Sequence, residues 1–269
     1  MTNPVLSSFA AAKSADRAAL IGYLPAGFPN ASFSAELMSA MVAGGVDIVE
    51  VGLPYSDPLM DGPVIQEAAA TALAAGATSQ TVFACVSSVA ATGAVPVVMS
   101  YWNPIEKYVV QRFAQDLLDA GGCGVITPDL TPEEAGPWIE ATDQADIART
   151  FLVAPSSSLE RIEIVAKVCT GFIYAASTMG VTGARSTLST AAPELVARVR
   201  RVTSQPVAVG IGVSTAEQAA DVATYADGVI VGSAFVRLVL DAANDAAALS
   251  AVEGLARELA AGVRAHHHR

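Results

Sequence analysis

The chain has 269 residues, of which 52% are hydrophobic and only 15% charged, and its formal net charge is −11. This apolar composition excludes a disordered chain, and the acidic balance argues against a nucleic-acid or membrane-surface partner. The three histidines, His266, His267 and His268, all lie in the last four residues. We interpret 266–269 as a disordered tail, so the folded body lacks the histidine that Ser-His-Asp catalysis or a histidine-based metal site needs.

The cysteines and the hydropathy pattern bear on location. Three widely spaced cysteines without a CxxC pair are typical of reduced thiols and predict a cytoplasmic protein. The first residues show no signal peptide. No apolar run approaches the roughly 20 residues that span a bilayer.

Short segments rich in Val and Ile alternate with longer Ala-rich segments along the whole chain. The predicted strands are Ala19–Leu24, Val46–Gly52, Val95–Ser100, Gly124–Thr127, Thr150–Ala154, Phe172–Ser177, Val207–Gly212 and Gly228–Gly232. The predicted helices are Ser32–Ala43, Val64–Ala74, Thr81–Ala91, Phe113–Ala120, Leu159–Cys169, Pro193–Arg201, Thr215–Ala223 and Asp245–Gly262. Continuous apolar strands between helices indicate a parallel sheet that is covered on both faces. Eight such units favour an α/β fold, a single-domain (β/α)₈ TIM barrel over residues 1–265.

A TIM barrel carries its chemistry on the loops that follow the strands. Within the second strand, Glu50 has the same parity as Val46 and Ile48, so its carboxylate lies on an apolar face. Such a carboxylate is costly unless it is paired or functional, which leaves a structural ion pair as the alternative. In the loop beyond it, Asp61 is either an ordinary turn former or a second carboxylate that shares acid–base work with Glu50.

The sixth strand places Tyr174 on the same face as Phe172 and Ala176. This tyrosine is either core packing with a satisfied hydroxyl or a group at the site. The segment after it, 178–190, is rich in Gly, Ser and Thr and is typical of a mobile lid that excludes water from a closed site.

Glycines mark the ends of the last two strands. Gly210, Gly212 and Gly232 offer bare backbone amides, and Ser233 begins a helical segment. Glycine amides and helix N-termini bind phosphate without a cationic side chain, and TIM barrels use the loops after strands seven and eight for this purpose. The alternative is that these glycines only turn the chain.

Four motifs in this order resemble the tryptophan synthase α subunit family, and the resemblance extends over essentially the whole chain. They are EVGLPYSDPLMDGP (Glu50–Pro63), GVTGAR (Gly180–Arg185), GIG (Gly210–Gly212) and VGSA (Val231–Ala234). The first two are highly specific, whereas many phosphate-binding barrels share the glycine motifs. The resemblance implies a lyase that cleaves indole-3-glycerol phosphate to indole and glyceraldehyde 3-phosphate by a retro-aldol reaction.

The same resemblance implies roles for individual residues. Glu50 is expected to be the general acid–base, and Asp61 the carboxylate that faces the indole N–H. The residues expected to bind substrate are Tyr174, Thr182, Gly183, Gly212, Gly232 and Ser233. Asp129 is expected to support the lid and the subunit interface. The other supporting residues are expected to be Tyr23, Ile65, Met99 and Ile211.

The family's partner is a β subunit that carries pyridoxal phosphate, and the resemblance implies an α₂β₂ heterotetramer with no cofactor in this chain. The lysines Lys13, Lys107 and Lys167 lie outside every predicted strand, so no Schiff base is expected, and no metal site is predicted. Two alternatives remain open at this point. One is another phosphate-binding barrel lyase or isomerase, and the other is an inactive subunit that only activates a partner.

Overall fold

The computed structural model describes residues 3–57, 59–176 and 191–264. Within them a single sheet contains nine strands, and every neighbouring pair is parallel. The strands are β1 (Ala19–Pro25), β2 (Ile48–Gly52), β3 (Val95–Met99), β4 (Gly124–Ile126), β5 (Ala148–Thr150), β6 (Leu152–Val153), β7 (Ile173–Ala176), β8 (Val207–Gly210) and β9 (Gly228–Val231).

The sheet forms a nearly closed barrel. Its order is β5-β4-β3-β2-β1-β9-β8-β7-β6, so the two terminal strands are β5 and β6, which only Phe151 separates in the chain. β5 pairs with β4 and β6 pairs with β7. Segment 148–153 therefore occupies one strand position in the ring. The (β/α)₈ TIM barrel is confirmed, but the predicted fifth strand Thr150–Ala154 is corrected, since it begins at Ala148 and is divided in two.

Twelve helices are present among the described residues. They are α1 (Pro4–Ser14), α2 (Ala31–Gly44), α3 (Pro63–Ala74), α4 (Ser79–Ala91), α5 (Trp102–Tyr108), α6 (Val110–Asp119), α7 (Gly136–Gln144), α8 (Leu159–Val168), α9 (Ala191–Arg200), α10 (Ala216–Ala223), α11 (Ser233–Asp241) and α12 (Asp245–Gly262). All eight predicted helices occur with small shifts of their ends, and Ser233 begins α11 as expected. The sequence reading missed α1, α5 and α7. Of these, α5 and α7 are short and contain an early proline, which weakens a periodic pattern.

The missed helix α1 closes the amino end of the barrel. Val5, Phe9 and Ala12 belong to the cluster that fills the barrel interior, and the Phe9 ring lies 5.4 Å from the ring of Phe172. The side chain of Asn3 accepts a hydrogen bond from the Val5 N–H at 2.9 Å and so begins the helix. A second, larger cluster fills the space between the strands and the outer helices.

Hydropathy gives no single membrane-spanning helix within the described residues. The helices α3 and α4 pass a test of length and composition only as a pair, and they are bent by 109° at the break between them. The tail 266–269 lies outside the described residues.

Candidate active site

Glu50 lies in β2 with its side chain in the barrel interior, on the same face as Ile48. Its neighbours across the sheet are Tyr23 of β1 and Val97 of β3. The residue is 1% exposed, and its Oε1 atom has no hydrogen-bond partner among the described residues. Because burial disfavours the charged carboxylate, the pKa of Glu50 is raised to about 8.

This environment favours a functional over a structural interpretation of Glu50. A structural glutamate would be held by a cation, yet none of the ion pairs within the described part of the chain includes Glu50. A buried carboxyl group with an unpartnered oxygen is available to a ligand. Burial favours the protonated form of this carboxyl group, which can donate a proton.

Asp61 lies in the loop between β2 and α3, and burial raises the pKa of its carboxyl group. The hydroxyl of Tyr101 interacts with that carboxyl group and opposes the rise, because it favours the charged form. The same hydroxyl accepts a hydrogen bond from the Met60 N–H at 3.0 Å. Tyr101 therefore holds both the carboxylate and the backbone of this loop. The sequence reading missed it, although it directly follows the predicted strand Val95–Ser100.

Two tyrosines cover the glycines that end β2 and β8. A Cβ atom on Gly52 would lie 2.5 Å from the Tyr23 hydroxyl, and one on Gly210 would lie 2.5 Å from the Tyr174 hydroxyl. Both glycines are thus required so that a tyrosine of the adjacent strand can cover them. This steric reason is independent of the expectation that the backbone amide of Gly210 binds phosphate, which stays a prediction.

The electrostatics of the two tyrosines place them with the carboxylates. Burial is the main cause that raises the pKa of Tyr23 and of Tyr174, and the charges of Asp61 and Glu50 raise both further. Two acids and two phenols are therefore close enough to interact electrostatically. Tyr174 also contacts the interior cluster, so it packs in the core, and its role at the site stays a prediction.

Asp129 supports this side of the mouth by binding backbone. Its carboxylate oxygens accept hydrogen bonds from the N–H of Trp102 at 2.9 and 3.1 Å. Trp102 is the first residue of α5 and follows Tyr101 directly. Asp129 thus fixes the start of the helix next to the tyrosine that holds Asp61. The expected contact with the lid concerns residues outside those that the structure describes.

The expected phosphate-binding end is built from β8, β9 and α11. Gly212 has a φ of +80°, a left-handed conformation that glycine adopts without strain. Gly232 is the N-cap of α11 and provides no side-chain cap, so the first N–H groups of the helix remain available to an anion. Thr182 and Gly183, also expected here, lie outside the described residues.

The three apolar residues expected to support the site do not form one cluster. Ile65 of α3 and Ile211 are buried in the cluster between strands and helices. Met99, at the end of β3, contacts the interior cluster instead. Only Met99 therefore packs with the interior layer to which Ile48 and Tyr174 belong.

The three lysines occupy helices rather than strands, since Lys13 lies in α1, Lys107 in α5 and Lys167 in α8. In residues 3–57, 59–176 and 191–264, no group of three or more His, Cys, Asp and Glu side chains is arranged to hold a metal ion.

Comparison with known proteins identifies the family. The family model described as tryptophan synthase alpha chain matches residues 9–264. The chain belongs to the tryptophan synthase alpha chain family. It is 59% identical over 248 residues to the tryptophan synthase alpha chain of Acidothermus cellulolyticus, covering 92% of each protein. It is 58% identical over 259 residues to that of Thermobifida fusca, covering 95% of this chain and 96% of that relative.

A solved structure agrees with this assignment. A chain of Mycobacterium tuberculosis tryptophan synthase superposes with a TM-score of 0.92 at 49% identity, covering 98% of this chain and 99% of that one. The fold of this tryptophan synthase alpha chain family member is therefore shared along nearly its whole length.

Proposed function

We propose that this barrel performs its family's lyase reaction with Glu50 as the general acid–base and Asp61 as the electrostatic partner. The alpha chain of tryptophan synthase cleaves indole-3-glycerol phosphate in tryptophan biosynthesis. The observation that supports the assignment of Glu50 is its buried, unpartnered carboxyl group with a pKa raised to about 8.

The retro-aldol step needs one proton delivered and one removed. Glu50 in its protonated form gives its proton to C3 of the indole ring, and the positive charge develops on the ring nitrogen. The carboxylate so formed removes the proton of the adjacent glycerol hydroxyl. The C–C bond then breaks, its electron pair neutralises the ring, and the aldehyde carbonyl forms. Glu50 ends the cycle protonated again, which a pKa near neutrality makes possible.

Asp61 faces the positive charge that develops on the indole nitrogen, an electrostatic role whose benefit is largest where water is excluded. Its interaction with the Tyr101 hydroxyl keeps the carboxylate oriented and favours its charged form. Tyr23 and Tyr174 border the ring, since the fields of both carboxylates reach them.

The phosphate group is assigned to the backbone N–H groups at the start of α11 together with Gly212, Gly232 and Ser233. The uncapped helix terminus and its dipole support this placement. Thr182 and Gly183 complete the predicted set of phosphate and substrate contacts.

The partner is the tryptophan synthase β subunit, in an α₂β₂ complex. Pyridoxal phosphate is assigned to that β subunit and would act on the released indole there, while this chain's residues perform the cleavage. The cytoplasmic location that the cysteines predict stays a prediction.

Indole release from indole-3-glycerol phosphate, measured with the isolated chain and with an added β subunit, tests the proposal. We expect cleavage that survives a chelator, and borohydride added with substrate should trap no adduct on a lysine. A panel of other sugar phosphates tests the alternative of a different barrel lyase or isomerase. Absence of indole both alone and with the β subunit would instead favour the inactive, activating subunit.

A further inference from the structure

A groove of about 470 Å³ opens beside the proposed phosphate site, between α3, α11, α12 and the loop after β8. At one end it is lined by Ser214 and Ser233, which belong to the two loops assigned to phosphate. Further along it is lined by Arg237 and by Glu258 of α12. The groove therefore joins the phosphate end of the barrel to a cationic side chain that no step of the proposed mechanism uses.

Ser233 links the groove to an anion. The residue is only 8% exposed, and no described residue forms a hydrogen bond with its hydroxyl. Because Ser233 lies at the uncapped N-terminus of α11 and lines the groove, its hydroxyl is open to a ligand with acceptor oxygens.

Arg237 lies one helical turn beyond Ser233. Residues at i and i+4 share a helix face, and side chains in a helix tilt toward its N-terminus. The guanidinium of Arg237 is therefore directed back over the first turn of α11, on the groove side. It forms no ion pair within 4 Å among the residues that the structure describes. An exposed, unpaired arginine in this position is free to bind an oxyanion.

The positive charge of Arg237 would favour an anionic substrate that the rest of the chain repels. The chain carries a formal net charge of −11, which repels an anionic substrate at long range. Backbone amides bind phosphate at contact but supply only partial charges. A full positive charge at the outer edge of the site offsets the repulsion, and a guanidinium forms paired hydrogen bonds with phosphate oxygens.

We propose that Arg237 is a substrate-binding residue that contacts the phosphate group from the groove beside Ser233. This inference rests on the proposed function, because that function supplies the phosphate ester.

The test combines turnover with a binding measurement that needs no turnover. We expect Arg237→Ala to raise KM for indole-3-glycerol phosphate by about threefold to tenfold with little change in kcat. Inorganic phosphate, titrated calorimetrically at low salt, should bind more weakly by a similar factor. Inhibition by indole, which carries no phosphate, should be unchanged, and Arg237→Lys should restore part of the loss. Circular dichroism of Arg237→Ala and Arg237→Lys checks that both variants are folded.

Arg257→Ala is the matched control, because it removes the same charge from neighbouring α12 at an exposed arginine paired with Glu253 outside the groove. An equal loss in Arg257→Ala would overturn the contact in favour of a general field effect. Unchanged KM and phosphate affinity in Arg237→Ala, with an active wild-type chain, would overturn the inference alone. A wild-type chain without turnover would overturn the proposed function, whereas weaker phosphate binding by Arg237→Ala would still support the contact.

Discussion

The interior of the barrel changes character between its two ends. At the amino end, α1 inserts Phe9 among the apolar side chains of the interior cluster, and Glu50 is the only buried carboxylate among the described residues. At the carboxyl end, the same strands carry Glu50 and two tyrosines that interact electrostatically with it, and Asp61 lies on the loop after β2. One ring of strands thus separates a layer that stabilises the fold from a layer that carries the chemistry, and substitutions in the two layers should have separable effects.

The largest expected effect on catalysis is that of Glu50→Gln. The variant keeps the size of the side chain but cannot exchange a proton, so cleavage should fall by about 10²- to 10⁴-fold. Single-turnover indole release measures the loss, and affinity for a substrate analogue should persist. Near-normal cleavage would remove Glu50 from the mechanism, and lost folding would favour a structural role.

At the opposite end, Phe9→Ala should destabilise the fold without changing the chemistry. Phe9 is 4% exposed, and truncation of a buried phenylalanine costs about 3–5 kcal/mol. Denaturant unfolding gives the free energy, and kcat of the folded fraction should equal that of the wild type. A large fall in kcat under native conditions would show that the two layers are coupled.

Asp61→Asn should reduce cleavage by about 10²- to 10³-fold, since it removes the charge opposite the indole nitrogen. The free energy of unfolding should change little or rise, because burial already disfavours the charged carboxylate. Single-turnover indole release and denaturant unfolding of the same variant measure the two effects, and we expect a large loss of cleavage without a loss of stability. An Asp61→Asn variant that is unstable yet active would show that Asp61 stabilises the fold and does not serve catalysis.

Stability should also depend on pH at the carboxyl end. The pKa of Glu50 is about 8 in the folded chain against a usual value of 4.5. The stability that its protonated carboxyl group contributes is therefore fully present below pH 4.5 and is lost as pH rises through 8. Relative to Glu50→Gln, the wild type should lose up to about 1.4 kcal/mol per pH unit in this window. The destabilisation by Phe9→Ala should stay constant over the same range. Parallel pH profiles of wild type and Glu50→Gln would disprove the raised pKa.

The smallest expected effect is that of Tyr101→Phe. Loss of the hydroxyl that holds Asp61 and the Met60 N–H should lower kcat/KM by about tenfold, the value of one hydrogen bond to a charged group. Tyr108→Phe is the matched control, because that hydroxyl bonds Asp116 on the next helix. An equal fall in kcat/KM in the two variants would show that the Tyr101 hydroxyl has no specific role in holding Asp61.

The barrel could be predicted because its signal is local. Each strand is a short apolar run and each outer helix an Ala-rich segment, so eight alternations were readable without knowledge of any contact. Parity placed Glu50 on the same strand face as Ile48, which belongs to the interior cluster, whereas Val46 precedes β2 and packs in the outer cluster. The resemblance to a family, rather than spacing, supplied the role of Asp61.

What escaped prediction depends on contacts between distant segments. The sequence does not show that Tyr101 reaches Asp61, that Asp129 binds the Trp102 N–H, or that Arg237 lines a groove with Ser233. Each of these depends on how neighbouring strands align and on where a loop or helix packs. The division of the fifth strand also depends on distant segments, because β5 pairs with β4 whereas β6 pairs with β7.

The sequence by itself therefore determined the fold class, the order of the elements and the face on which Glu50 lies. These follow from hydrophobic periodicity and from the alternation of side chains along a strand, which are properties of the chain. Only the tertiary structure decided that Oε1 of Glu50 has no partner among the described residues and that burial raises the pKa of this carboxyl group to about 8. A pKa of this kind depends on how completely the surrounding barrel excludes water and countercharges, and only three-dimensional packing sets that exclusion.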